Sequence, residues 1–149
     1  MNRAPPAFDL QRFVSAQARV IEQVRAELAA GRKRSHWMWF IFPQLRGLGH
    51  SATAQRYALS GLEEAQAYRQ HPLLGARLIE CTSLVNGLKD LSAHDVFGSP
   101  DDLKFRSCMT LFACVPQAGA VFEQALSRYF DGVPDPRTLQ LLAGLGLRR

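Results

Sequence analysis

The sequence predicts a mainly α protein: a single compact domain of six or seven short helices, with at most one short strand or extended core segment. Three observations predict this class. The 149 residues are the length of one domain, and with 47% hydrophobic and 21% charged residues they can build a core without disulfides or metal. Apolar residues recur at helical spacing along most of the chain. Strand and helix patterns do not alternate, which disfavours a parallel sheet. We expect one domain over residues 1–149, with residues 1–7 loose.

The N-terminal segment has a helical pattern. Apolar residues recur on one face from Leu10 to Leu28, as one helix or two in series, and Gly31 is a favourable stop. The next segment is different, because residues 37–42 are consecutive large apolar residues that cannot form an amphipathic face. We expect this run to be buried on both sides, as a short central strand, an extended thread or a helical turn. Pro43 argues against a continuing helix.

The rest of the chain reads as further helices. A helix is predicted over 62–70, segments 74–88 and 121–130 carry apolar stripes, and 93–97 is a helical turn. The segment from Ser99 to about Cys114 is apolar nearly all round, which predicts a central helix. Asp135-Pro136 opens the last helix, and Asp135 is more typical of a capping residue than of a catalyst.

The positive charge lies mainly in the first part of the chain. The net charge is +5. Residues 1–60 carry nine Lys and Arg against three acidic residues, a balance of +6, whereas residues 61–149 carry nine against ten. The densest cluster is Arg32, Lys33 and Arg34. It indicates either a polyanion contact or a solvated helix end whose cations complement the helix dipole.

The first candidate site lies between His36 and Ser51. Burying an unpaired imidazole or amide costs about 1–3 kcal/mol, so His36 and Gln44 need partners. Indole faces suit the stacking of a base, and Arg46 with the backbone of residues 47–49 could hold an anion. The alternative is that the tryptophans only fill the core. The ligand-binding candidates of this segment are Trp37, Trp39, Gln44, Arg46, Gly47, Gly49 and Ser51.

The second candidate site is the helix Asp101–Thr110. Lys104 is a cation in apolar surroundings, so it must reach solvent, pair with a carboxylate or line a cavity. Asp101 and Ser107 lie three residues to either side of it, on the same face. Such a face could bind phosphate or supply acid–base chemistry, for which Lys104, Asp101 and His36 are the candidates. The alternative is a plain ion pair at the helix start.

Three segments carry a resemblance to a known family: SHWMWFIFPQLRGLGHS, EEAQAYRQHPLLGARL and FGSPDDLKFRSCMTLF. Their order and spacing resemble the bacterial family known as domain of unknown function 1810, over nearly the whole chain. Cys108 departs from the Ser that the family commonly shows there. The resemblance implies a compact, mainly helical, cytoplasmic protein and no particular activity. A fainter similarity is to NADAR-type domains, which handle ADP-ribose, and it transfers no catalytic residue.

Together these features predict a pocket for a nucleotide or ADP-ribose-like metabolite between the HWMWFIFPQ segment and the Asp101–Thr110 helix. The alternative is a non-catalytic protein- or nucleic-acid-binding module. Whether any reaction is catalysed stays open. We expect no metal site, because the four histidines have no ligand spacing, and no cofactor motif is present. We expect no membrane span and, from three cysteines without a pairing pattern, a cytoplasmic protein.

Overall fold

Ten helices account for most of residues 8–146, the part of the chain that this computed structural model describes. They are α1 (Gln11–Ala18), α2 (Ile21–Ala29), α3 (Met38–Ile41), α4 (Ala52–Arg56), α5 (Leu62–Gln70), α6 (Leu74–Asn86), α7 (Ala93–Phe97), α8 (Asp101–Ala113), α9 (Val121–Phe130) and α10 (Pro136–Gly146). These residues form no strand, and their one extended pairing is an isolated parallel bridge between Leu45 and Leu59. Within the same range, no helix is long and apolar enough to cross a membrane.

The mainly helical prediction is confirmed, but the predicted number of six or seven helices is too low. The N-terminal stripe divides into α1 and α2 at Arg19 and Val20, where neither Gly nor Pro marks a break. Helix α3 has only four residues, which is too short for a 3.6-residue period to be recognised, whereas α7 has the bounds of the helical turn predicted over 93–97. The apolar run 37–42 contains α3, so it forms a helical turn.

Helix α8 is central, as its apolar sequence predicts. It packs against α5, α7, α9 and α10. The Phe105 ring stacks on Phe97 at a centroid distance of 4.6 Å and meets Phe42 edge-on at 5.0 Å. The first turn of α8 is less enclosed than its centre, with Leu103 exposed and Lys104 half-buried. The first turn of α8 can therefore present side chains to a ligand.

A buried amide holds α3 in place. The Gln17 side chain is 1% exposed, and its Nε2 donates to the Phe40 carbonyl at 2.8 Å and to the Tyr68 hydroxyl oxygen at 2.9 Å. A backbone carbonyl at the end of a one-turn helix has few partners of its own, so this hydrogen bond satisfies a group that would otherwise be buried unpaired. The hydrogen bond thereby holds the backbone of α3, the helix that carries Trp39.

The cysteines differ from one another in exposure. Cys81 and Cys108 are buried free thiols, as the apolar sequence around them predicts, and burial raises the pKa of Cys81 to about 12. Cys114 lies at the end of α8 and is exposed, although its sequence neighbours are apolar like those of the other two cysteines. The end of a helix leaves one face open even where its centre is enclosed.

Candidate functional site

One cleft brings together most of the predicted site residues. It has a volume of about 420 Å³ and lies between residues 44–51, the first turns of α8 and the start of α10. Asp135 and Arg137 add charged groups to its wall. The predicted residues that line it are Trp39, Gln44, Gly49, Ser51, Lys104 and Ser107. The two segments selected from the sequence therefore meet at one hollow.

Close packing shapes the loop on one side of this cleft. A Cβ on Gly49 would lie 2.6 Å from the Ala54 Cβ, so only glycine lets the loop approach α4 this closely. The Ser51 hydroxyl accepts a hydrogen bond from the Ala54 amide at 3.1 Å, so Ser51 is the N-cap of α4. On the other side of the loop, the Leu59 amide donates to the Gln44 carbonyl at 2.9 Å. Gln44 and Ser51 are thus held at fixed positions.

Lys104 supplies a cation to the cleft. Its side chain is 29% exposed, with Nζ 3.4 Å from Asp101 Oδ1 and 5.5 Å from the Trp39 ring centroid. Asp101 also binds Lys33, whose Nζ lies 2.8 Å from Oδ2. One carboxylate is therefore shared by two ammonium groups, and the shorter contact is to Lys33. Because Asp101 neutralises only part of this pair, Lys104 retains positive charge that faces the cleft.

Asp135 presents a carboxylate from the start of α10. Its Oδ2 accepts hydrogen bonds from the Ser107 hydroxyl at 3.0 Å, the Thr138 amide at 3.1 Å and the Thr138 hydroxyl at 2.5 Å. The contacts to Thr138 are those of a helix N-cap, so the predicted capping role of Asp135 is confirmed. Its Oδ1 accepts no hydrogen bond from residues 8–146, although Asp135 lines the cleft.

The approach to α10 is tied to α8 by Arg106 and Thr110. The Arg106 Nε donates to the Val133 carbonyl at 2.9 Å, and its Nη2 donates to the Pro134 carbonyl at 3.0 Å. The Thr110 hydroxyl accepts a hydrogen bond from the Asp135 amide at 2.8 Å. These contacts hold the Asp135 backbone on a buried helix, so its carboxylate is positioned before any ligand arrives.

A family model matches residues 7–142, and its description is Protein of unknown function (DUF1810). The chain belongs to this family. Among solved structures, this DUF1810 chain is similar to the conserved hypothetical protein Rv1873 from Mycobacterium tuberculosis, whose crystal structure was determined at 1.38 Å. The two are 60% identical, with a TM-score of 0.90 and coverage of 91% of this chain and 97% of that chain. No curated protein matches. The resemblance seen in the sequence is confirmed.

Trp37 lies outside the cleft of this DUF1810 chain. It is 0% exposed, and its indole Nε1 donates to Glu27 Oε1 at 2.9 Å. The Glu27 carboxylate also accepts the Arg34 amide at 2.8 Å and the Ser35 hydroxyl at 2.6 Å. Burial alone would raise the pKa of Glu27, but these hydrogen bonds outweigh it and lower the pKa to about 2. The pair organises the turn before α3.

The remaining predicted residues take three positions. His36, Arg46 and Gly47 are exposed and lie outside the cleft lining. Asp101 lies behind Lys104 and acts on the cleft through it. Of the two tryptophans, only Trp39 lines the cleft. Both indoles were predicted to line the same site, because a run of large residues does not show which side chains point into the core.

The basic cluster at residues 32–34 is divided by the fold. Lys33 turns inward, with its side chain 8% exposed and its Nζ 5.1 Å from the Trp37 ring centroid. Arg32 and Arg34 stay exposed. The turn therefore offers two cations to a polyanion, not three.

Sequence reasoning did not select Asp135, Arg137 or His50 for the cleft. Asp135 was assigned to helix capping, and it both caps α10 and faces the cleft. Arg137 and His50 carry no local signal, since their place in the cleft depends on how α10 and the loop before α4 lie relative to α8. Among residues 8–146, no three His, Cys, Asp or Glu side chains form a group that could hold a metal ion.

Two larger hollows do not combine two cations with a tryptophan as this cleft does. One of about 550 Å³ is lined mainly by apolar groups between α5 and α10, with Glu63 as its charged residue. In the other, of about 690 Å³, the Arg69 Nε donates to the Ala118 carbonyl at 2.6 Å. There His71 Nδ1 accepts the Leu73 and Leu74 amides at 3.1 and 3.2 Å. Its main polar groups are thus occupied by protein partners.

Proposed function

We propose that this protein binds a phosphate-bearing small molecule, a nucleotide or an ADP-ribose-like metabolite, in the cleft between residues 44–51, α8 and α10. The observation that carries the proposal is the presence of two cations, Lys104 and Arg137, in one open cleft with the half-buried indole of Trp39. Ligand sites typically combine apolar surface with a few convergent polar groups.

The cations supply the anion-binding part. Lys104 shares its carboxylate with Lys33, and Arg137 forms no ion pair with residues 8–146. Arg binds phosphate through a planar fork, whereas Lys acts as a compact charge, so the pair suits a phosphate or diphosphate.

Apolar surface beside these cations suits a base. Trp39 lines the cleft together with Leu48 and Leu103, and Leu103 is 55% exposed. An exposed leucine on the rim of a cleft gains about 25 cal/mol for each Å² of apolar area that a ligand covers. A planar base packed on Trp39 and Leu103 would cover such area while its phosphate reaches Lys104.

Thermal unfolding with AMP, ADP-ribose, NAD and inorganic phosphate tests the proposal. A ligand at 100 times its Kd adds about 2.7 kcal/mol to the free energy of unfolding, which raises the Tm by roughly 5–10 °C. We expect Lys104→Ala to weaken binding by about tenfold or more, as for a lost charge-assisted hydrogen bond. Lys89→Ala is the matched control, since Lys89 is exposed and outside the cleft lining. No shift with any compound at millimolar concentration would refute the proposal.

A second candidate, a nucleic-acid-binding module, is favoured by a groove of about 320 Å³ beside α1 and α4. It is lined by Arg19, Arg56, Phe40 and Tyr57, and no carboxylate is among its lining residues. Neither guanidinium of Arg19 or Arg56 has an ion-pair partner within residues 8–146, and that of Arg56 lies 5.5 Å from the Tyr57 ring centroid. Arginines beside aromatic rings are typical of single-strand binding.

Salt titration of binding to a single-stranded RNA oligonucleotide tests this candidate. Arg19→Ala with Arg56→Ala should weaken binding and reduce the salt slope by about 1 for each lost phosphate contact. Arg32→Ala with Arg34→Ala removes the same charge from the exposed turn and should have a smaller effect. Unchanged RNA binding by the variant with Arg19→Ala and Arg56→Ala would exclude the groove as an RNA-binding site.

A further inference from the structure

The carboxylate of Asp135 constrains the kind of ligand that the cleft accepts. Its Oδ2 is held by Ser107 and Thr138, whereas its Oδ1 accepts no hydrogen bond within the described part of the chain. A carboxylate oxygen only accepts hydrogen bonds. Because Asp135 lines the cleft together with Lys104 and Arg137, its fixed carboxylate lies beside these cations and keeps one oxygen that no donor of the described residues uses.

The neighbouring cations do not occupy this acceptor. Lys104 and Arg137 line the same cleft, and neither lies within ion-pair distance of Asp135 in residues 8–146. Lys104 is instead paired with Asp101. Cations and a carboxylate that share a cleft without pairing call for a ligand with both features, namely an anionic group and hydrogen-bond donors. A flat aromatic carboxylate with no N–H or O–H group supplies only the first.

A ribose phosphate supplies both. Two adjacent hydroxyl groups are donors that one carboxylate can accept, and carboxylates recognise ribose in this way in dinucleotide-binding folds. The phosphate of the same molecule can then reach Lys104 and Arg137, and the base can pack on Trp39. Asp135 is held by α8 and by its own capping contacts, so it needs no rearrangement to receive these hydroxyls.

We infer that Asp135 Oδ1 accepts hydrogen bonds from the ribose hydroxyls of the ligand, so that the cleft prefers ribonucleotides and ADP-ribose to their 2′-deoxy counterparts. This inference rests on the proposed function. The role assigned to Asp135 is binding, and it concerns one oxygen that the capping of α10 does not use.

Calorimetric titration of the wild-type protein with AMP and with 2′-deoxy-AMP tests the inference. We expect the ribonucleotide to bind about tenfold or more tightly, as for one hydrogen bond to a charged group. Equal affinity for the two would overturn the inference and leave the proposed function in place. Absence of binding by both, and by ADP-ribose, would overturn both.

A variant pair locates the preference. Asp135→Asn keeps a residue type that caps helices well, so α10 should still form. We expect it to reduce the preference for AMP to less than about threefold. Asp131→Asn, at an exposed left-handed position that asparagine tolerates, should leave the preference unchanged. A preference that survives in Asp135→Asn, with the Tm of the variant showing that it is folded, would overturn the assignment to Asp135.

Discussion

Replacement of Glu27 by glutamine should weaken the fold in a pH-dependent manner. Glu27 is 7% exposed and its Oε1 accepts hydrogen bonds from the Arg34 amide, the Ser35 amide and the Trp37 indole. Glutamine keeps the shape of the side chain and one carbonyl oxygen, but it carries no charge. The variant therefore removes the charge-assisted part of these hydrogen bonds while leaving the cavity filled.

The size of the effect follows from the pKa. Hydrogen bonding, working against the opposing effect of burial, lowers the pKa of Glu27 from 4.5 to about 2, and the full difference corresponds to about 3 kcal/mol. Because the carbonyl oxygen of glutamine still accepts part of these hydrogen bonds, we expect the substitution to remove about 2 kcal/mol of this difference. Because the folded-state pKa is depressed, this stabilisation is complete above pH 4.5 and is lost as the pH falls towards 2.

Urea unfolding followed by the fluorescence of buried Trp37 measures this prediction. We expect Glu27→Gln to lower the free energy of unfolding by about 2 kcal/mol at pH 7, with a difference that shrinks between pH 4.5 and 2. Glu123→Gln, at an exposed position, should change it by less than about 0.5 kcal/mol. Equal stability of wild type and Glu27→Gln at pH 7, or a difference that does not vary with pH, would refute the reasoning.

Two further variants test the walls of the cleft. Lys33→Met leaves Asp101 free to neutralise Lys104 alone, so it should lower phosphate affinity several-fold although Lys33 lies outside the cleft lining. Lys33→Met with Asp101→Asn should restore part of that affinity. Unchanged affinity of the single variant, measured by calorimetry, would contradict the argument that Lys33 and Lys104 share one carboxylate. Gly49→Ala should lower the free energy of unfolding in urea by about 1–3 kcal/mol, because the new Cβ would lie 2.6 Å from the Ala54 Cβ. Adding Ala54→Gly should recover part of that loss. If the losses of the two single variants simply add in the double variant, the two positions do not clash.

The sequence was sufficient for the central helix but not for the count of helices. Helix α8 is apolar on most of its faces, and such a pattern indicates a helix packed against neighbours on most sides. The division between α1 and α2 at Arg19 and Val20 has no such signal, because the apolar stripe continues through it in phase. What divides these helices is tertiary packing, which local propensity does not report.

The candidate site, too, could be predicted only where a residue is unusual in its local sequence. Lys104 could be selected because a cation in an apolar helix needs a partner or a cavity, and it has Asp101 on one side and the cleft on the other. Arg137 could not be selected, since nothing in its neighbourhood is unusual until α10 packs against α8. Trp37 was selected with Trp39 because the two are alike in sequence, and only Glu27 distinguishes them.

Glu27 lies outside the lining of the cleft, yet it influences the charge of the cleft. Its hydrogen bonds to the Arg34 and Ser35 amides fix the turn that carries Lys33 inward. The Lys33 ammonium then lies 2.8 Å from the Asp101 carboxylate, so the negative charge of Asp101 is shared between Lys33 and Lys104. Without that turn, Asp101 and Lys104 would form an ordinary i, i+3 pair, worth a few tenths of a kcal/mol and with little net charge to offer a ligand. The positive character of the cleft thus depends on a contact in the interior, which is why residue type and spacing on α8 alone could not establish it.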